Sequence, residues 1–240
     1  MDRQPNSPSA IRDDLFYMQT VVFLAENSLF RVPRYKFEND QGVFADMFSM
    51  PAGGGEVEGR DDDNPIRLPD DVSAYDFRSF LKAFYPNIGA QPIIMSAGEW
   101  EAVLKLSNMW QLHDFRLKAI AELGGVEMTA VQRVQLARRH RVSSWLIEGY
   151  QSLAKRLEPV TIEEAEELGW PTYFKIVGLR EQSWQFAAQA HSRNWEDNRT
   201  KFGFVAVIHE VFREELREDY DYKAPGQGER VAFMYAVLLF

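Results

Sequence analysis

Few side chains in this sequence are spaced for catalysis or metal binding. His209 and Glu210 begin the helical His-Glu-x-x-His zinc pattern, but position 213 is an arginine, so the second histidine ligand is missing. No two histidines stand four residues apart, and the chain contains no cysteine. Thiol nucleophiles and thiolate metal sites are therefore excluded. The sequence predicts no metal, no cofactor and no catalytic residue, and an enzyme is not expected.

Two histidines nevertheless keep a different function class open. His113 is followed by Asp114, and His191 lies near Glu196 and Asp197. A carboxylate can orient an imidazole as a general base, so a histidine in a pocket between helices could bind a small ligand or act in a hydrolase. No nucleophile stands at motif spacing from either histidine, which makes this the secondary hypothesis.

Two charged clusters are better explained by solvent exposure than by a binding site. The acidic residues of 163–167 follow Thr161 at a helix start, where the helix dipole favours negative charge. The basic cluster contains Arg133, Arg138, Arg139, His140 and Arg141. At about 100° per residue its members scatter around a helix instead of forming one stripe. We therefore expect a solvated face and no nucleic-acid site.

The composition is typical of an intracellular globular protein. The chain has 240 residues, of which 45% are hydrophobic and 26% charged, so one or two domains with a sizeable core are expected. The 36 acidic residues outnumber the 27 basic ones and give a formal net charge of −9, which disfavours binding to phosphates. Neither a secretory signal nor an apolar run of about 20 residues is visible, so we expect no membrane contact and a location in the cytoplasm or nucleus.

The first 70 residues predict a small sheet. Val21–Ala25 and Leu29–Val32 are rich in strand-forming residues, and the turn-prone Glu26-Asn27-Ser28 separates them, which predicts a hairpin. Leu15–Met18 could form a further strand. Ile66–Leu68 predicts a short strand that ends at Pro69.

The rest of the chain is predicted to be mostly helical. Four hydroxyl residues are each followed three positions later by a residue that can complete a capping box, namely Ser73, Ser96, Thr129 and Thr161. All six tryptophans lie between positions 100 and 195, and we expect them to pack in the helical core. The predicted fold class is α+β: mostly helical, with a small N-terminal sheet covered by helices and followed by a helical extension.

The order of these motifs resembles that of a BTB (POZ) domain, in particular the set of BTB proteins expanded in mushroom-forming fungi. The resemblance rests on the hairpin, on Val43–Phe48, on Asn64–Pro69, on Asp76–Pro86 and on Trp100–Trp110. Further segments resemble the helical (BACK-like) extension of that group, among them Ala137–Leu146 and Glu164–Gly169. The expected organisation is a flexible arm over 1–12, a BTB-like domain over 13–124, a helical extension over 127–181 and a C-terminal extension of unknown role over 182–240.

The resemblance implies a non-enzymatic protein–protein interaction module that forms a homodimer and serves as an adaptor or scaffold, with a cullin-type ubiquitin ligase as a possible partner. The expected partner interface comprises Leu15, Phe16, Tyr17, Met18, Pro33 and Arg34. If Leu15–Met18 were an unpaired edge strand, it would invite pairing with a second chain, although pairing within its own chain is equally open. The family's usual His-Arg is Pro33-Arg34 here, and the acidic residue that often partners this arginine is replaced by Thr20.

Overall fold

A computed structural model describes residues 11–14, 17–39, 44, 58–87, 93–189 and 194–224. Within this part of the chain there are three strands, β1 (Thr20–Ala25), β2 (Ser28–Pro33) and β3 (Ile66–Arg67). The helices described are α1 (Tyr35–Asn39), α2 (Ala74–Phe84), α3 (Ala97–Met109), α4 (His113–Gly124), α5 (Ala130–His140), α6 (Ser143–Lys155), α7 (Ile162–Leu168), α8 (Trp170–Gln189), α9 (Trp195–Thr200), α10 (Phe204–Val211) and α11 (Arg213–Leu216). The chain divides into two compact units, Met1–Val126 and Glu127–Phe240.

The sheet lies in the first unit and confirms the predicted hairpin. The strand order is β2-β1-β3, with β1 antiparallel to β2 and parallel to β3. A two-residue turn joins β1 to β2, and Glu26 adopts the positive φ of 51° that such turns favour. The Val22 N–H donates to the Gly59 carbonyl at 2.9 Å. Gly59 has a φ of 79°, and a Cβ there would lie 2.8 Å from an Ile66 methyl, so this position requires glycine.

Aromatic rings fill the core between the sheet and the helices. Phe23 of β1 contacts Phe37 of α1 and Phe77 of α2, each with ring centroids 5.1 Å apart. Phe80 contacts Trp110 at the same distance, edge to face. These five side chains are buried, so helices cover one face of the sheet, as predicted.

All four predicted capping boxes are present. Ser73, Ser96, Thr129 and Thr161 each accept a hydrogen bond from the third residue's amide, while that residue's side chain accepts from the cap's own N–H. The helices α2, α3, α5 and α7 therefore begin where the sequence predicts.

In the second unit, the prediction of a solvated basic face is wrong for three residues, among them Arg133, whose side chain is only 17% exposed. His140 is buried. The Arg138 guanidinium donates to Glu215 Oε1, to the Leu168 carbonyl and to Thr172 Oγ1, each at 2.7 Å. Arg138 therefore joins α5 to α7, α8 and α11, and its side chain is only 30% exposed.

The segment beyond residue 182 secures both ends of α6. At its start, Asp219 Oδ2 accepts from the Ser143 N–H and the Ser143 hydroxyl, both at 2.8 Å. At its end, the Arg199 guanidinium donates to the carbonyls of Ala154 and Lys155. Burial, and secondly the charge of Arg180, lowers the pKa of Arg199. The described part of this segment therefore packs back onto the second unit.

The prediction that the tryptophans pack in the core holds only in part. Trp110 and Trp145 are buried. Trp170 and Trp195 instead remain 48% and 54% exposed. Two of the largest side chains in the second unit therefore face solvent.

Candidate interaction surface

The predicted interface residues are brought together at the base of the hairpin, as far as the structure describes them. Leu15 and Phe16 lie outside the described residues. Tyr17 and Met18 are 57% and 59% exposed and lie before β1, so they form no strand of their own. The possible further strand is therefore absent at these two positions. Their exposure places two large apolar side chains directly beside the start of the sheet.

A backbone hydrogen bond sets the segment before β1 against the segment after β2. The Arg34 N–H donates to the Gln19 carbonyl at 2.9 Å, which continues the hairpin beyond its last strand pair. Met18 and Tyr35 flank this bond in sequence, and Tyr35 is 48% exposed. We call Tyr17, Met18, Pro33, Arg34 and Tyr35 the hairpin-base surface.

Local contacts order the N-terminal side of this surface. The Tyr17 N–H donates to the Asp13 carbonyl at 3.1 Å. The Arg12 guanidinium lies 4.7 Å from the centroid of the Tyr17 ring, within the range of a cation–π interaction. The Tyr17 ring is therefore positioned while more than half of it stays open to solvent.

Arg34 finds its acidic partner on α1. Arg34 Nε lies 2.7 Å from Glu38 Oε1, an i,i+4 ion pair. Glu38 thus supplies the carboxylate for Arg34, while the start of β1 has Thr20. Sequence reasoning missed Glu38, although the spacing Arg34-x-x-x-Glu38 was a readable signal.

Tyr85 fixes the opposite side of the hairpin base from the end of α2. Its hydroxyl donates to the Pro33 carbonyl. Burial, and secondly Tyr35, raises the pKa of Tyr85, so the phenol keeps the proton that it donates. The Lys36 ammonium donates to the Phe84 carbonyl and lies 5.0 Å from the centroid of the Tyr85 ring. The exposed residues of the surface therefore stand on a buried, hydrogen-bonded support.

Strand β2 forms an edge of the sheet next to this surface. In a two-residue hairpin the closing pair, here Ala25 and Ser28, exchanges hydrogen bonds, and every second pair after it does the same. The backbone groups of Leu29 and Arg31 therefore point to the outer edge, where no strand lies beside β2 among the described residues. Leu29 is also 47% exposed. Pro33 has no N–H to donate, so a strand added at this edge would lose pairing at the hairpin base.

Of the two histidines of the alternative function, only His113 lies among the residues that the structure describes. His113 is exposed at the first position of α4, next to the exposed Asp114. Glu196 and Asp197 lie in the first turn of α9, and His191 falls outside the described residues. Across the described ranges, no group of three or more His, Cys, Asp or Glu side chains could hold a metal ion.

Comparison with known proteins found no similar protein. No protein-family model, curated protein or solved structure matches the chain. None of the described helices combines the length and the apolar content needed to cross a lipid bilayer.

Proposed function

We propose that this chain is a non-enzymatic protein–protein interaction module of the BTB (POZ) kind, which self-associates through the hairpin-base surface and acts as an adaptor or scaffold. The observation that carries the proposal is the exposure of Tyr17 and Met18 beside the first strand. Exposed aromatic and methionine side chains are typical of interface centres. A second copy that covers them would remove this apolar surface from water.

The element order supports the family part of the proposal. A hairpin, a short helix and a third strand precede three helices in the first unit. Of the motifs on which the resemblance to BTB domains rests, the hairpin, β3, α2 and α3 follow each other in the expected order, and Val43–Phe48 lies, apart from Phe44, outside the described residues. The second unit begins at Glu127, with further helices.

The test is the molar mass of the full chain in solution, measured by sedimentation over about 1 to 100 μM, where weak dimers dissociate. We expect a dimer, and we expect the variant Tyr17→Ser/Met18→Ser to shift toward monomer by about tenfold or more in dissociation constant. Leu117→Ser is the matched control, because Leu117 is 48% exposed on α4. A monomer at all concentrations, or a dimer that the double variant leaves unchanged, contradicts the proposal.

The adaptor form of the proposal adds a cullin as second partner. A pull-down with the N-terminal domain of a cullin tests it directly. Absence of binding at micromolar concentrations would remove the adaptor form and leave the self-associating scaffold.

A further inference from the structure

Helix α8 has two apolar faces. One is buried within the second unit, and the other is exposed. Its buried residues are Thr172, Ile176, Leu179, Ser183 and Ala187. Trp170, Phe174 and Val177 are 48%, 66% and 36% exposed. At about 100° per residue these three side chains fall within roughly 60° of each other, on a face about 150° away from the buried one. We call Trp170, Phe174, Val177 and Glu181 the outer stripe.

The aromatic part of the outer stripe forms one cluster of rings. The Trp170 ring centroid lies 5.5 Å from that of Tyr173 and 6.4 Å from that of Phe174. The centroids of Tyr173 and Phe174 are also 5.5 Å apart. An exposed cluster of this kind has the residue types and the i, i+4, i+7 spacing that anchor helix-in-groove contacts.

The surroundings of the outer stripe are acidic. Between Leu157 and Gln182 the chain has six glutamates and two cations, Lys175 and Arg180. Both cations are engaged with their own unit: Lys175 lies 5.0 Å from the centroid of the Phe212 ring, and Arg180 donates to the Leu153 carbonyl. Glu166 and Glu167, just before Trp170, are exposed. Glu181 is exposed one turn beyond Val177 and accepts a hydrogen bond from Gln185. A partner that places cations beside these carboxylates is favoured, and cations can also stack on the open rings.

We propose that the outer stripe binds a basic amphipathic helix of another protein. Its apolar residues would cover Trp170, Phe174 and Val177, and its lysines or arginines would face Glu166 and Glu181. A second copy of this chain fits less well, since a symmetric contact would bring these glutamates against each other. The exposed area of the stripe also favours a single helix over a second copy of the chain. Aromatic side chains bury about 150–250 Å² each, so the exposed part of the stripe offers roughly 300 Å², against about 800 Å² per partner in a stable dimer.

The test uses a synthetic helix of about 18 residues, built only of leucine at 3–4 spacing and lysine elsewhere, long enough to be helical once bound. A peptide with the same leucines and glutamate in place of lysine is the charge control. Binding of each labelled peptide to the full chain is followed by fluorescence anisotropy. We expect the lysine peptide to bind at micromolar concentration and the glutamate peptide to bind at least tenfold more weakly.

Variants of the chain then locate the binding. We expect Phe174→Ser to weaken the lysine peptide tenfold or more, and Val177→Ser and Glu181→Lys to weaken it severalfold. Val205→Ser is the matched control, because Val205 is 40% exposed on α10, and it should change nothing. Equal affinity for wild type and Phe174→Ser, equal affinity for the two peptides, or a fall in molar mass caused by Phe174→Ser alone would each overturn the proposal. The last result would assign the stripe to a second copy of the chain.

Discussion

The close contact between α5 and α6 predicts that alanine at position 149 destabilises the chain, and that a smaller residue at position 134 relieves this effect. Gly149 lies in the middle of α6, and a Cβ there would meet Val134 Cγ2 at 2.5 Å and the Ala130 carbonyl oxygen at 3.1 Å. Val134 is fully buried and has few rotamers available, so its methyl cannot simply turn away. The substitution Gly149→Ala should therefore strain this helix contact.

The expected magnitude is a difference between two terms. Overpacking of a core contact costs about 1–3 kcal/mol, while replacing glycine by alanine inside a helix gains about 1 kcal/mol. Gly149→Ala should therefore destabilise the second unit by up to about 2 kcal/mol. In a Val134→Ala background the obstructing methyl is gone and only the Ala130 carbonyl remains within 3.1 Å, so the same change should stabilise by at most about 1 kcal/mol. The coupling between the two substitutions is then at most about 3 kcal/mol.

The assay is native-state hydrogen exchange at amides within α6, because it reports the opening free energy of this helix separately from the other unit. Gly178→Ala is the matched control: Gly178 also lies inside a helix, α8, and a Cβ there meets nothing within 4 Å. It should stabilise by about 0.5–1 kcal/mol. If Gly149→Ala stabilised the otherwise unchanged chain as much as Gly178→Ala does, the close helix contact would be refuted.

Three further predictions concern the polar contacts of the second unit. Asp219→Ala should lower the free energy of unfolding by about 1–2 kcal/mol, because Ser143 loses its cap; hydrogen exchange in the first turn of α6 should rise more than elsewhere. Arg199→Met should cost about 1–3 kcal/mol in urea unfolding, because it leaves carbonyls at the end of α6 without their donor, and an unchanged midpoint would contradict this. Glu164→Gln keeps the capping box but removes the ion pair with Arg156, at a cost of about 1 kcal/mol at pH 7. Arg156 lowers the pKa of Glu164, so this difference should be complete above the ordinary pKa of 4.5 and disappear as the pH falls through the lower folded value.

The elements that the sequence predicted well depend on neighbouring residues. A capping box needs a hydroxyl and a carboxylate or amide three positions apart, so Ser96 and Glu99 can be recognised without knowledge of the tertiary fold. The hairpin needs two strand-forming runs and a short turn, which positions 20–33 contain. The exposure of Tyr17 and Met18 could also be predicted from the sequence, because these residues precede the first strand of the hairpin.

The contacts that the sequence did not reveal join residues far apart in the chain. Arg138 reaches Glu215, which is 77 positions away, and Ser143 reaches Asp219 across 76. At about 100° per residue, Arg138 falls between Val131 and Val134 on the buried face of α5, so its position indicated burial while its charge favoured solvent; only its acidic partner on a later helix had no local signal. For Trp170 the size of the side chain predicted burial, and the structure leaves about half of it exposed.

Helix α8 links the two observations that bear most on function in the second unit. It runs without a break through position 181, where the resemblance to the BTB extension ends. Ser183, within the same helix, accepts from Arg199 Nε at 2.8 Å, and Arg199 in turn donates to the end of α6. One face of α8 is therefore committed to holding the later segment against the unit. The aromatic residues on the opposite face of α8 therefore lie outside the core. We assign partner contact in this unit to the outer stripe, and a structural role to the segment that follows α8.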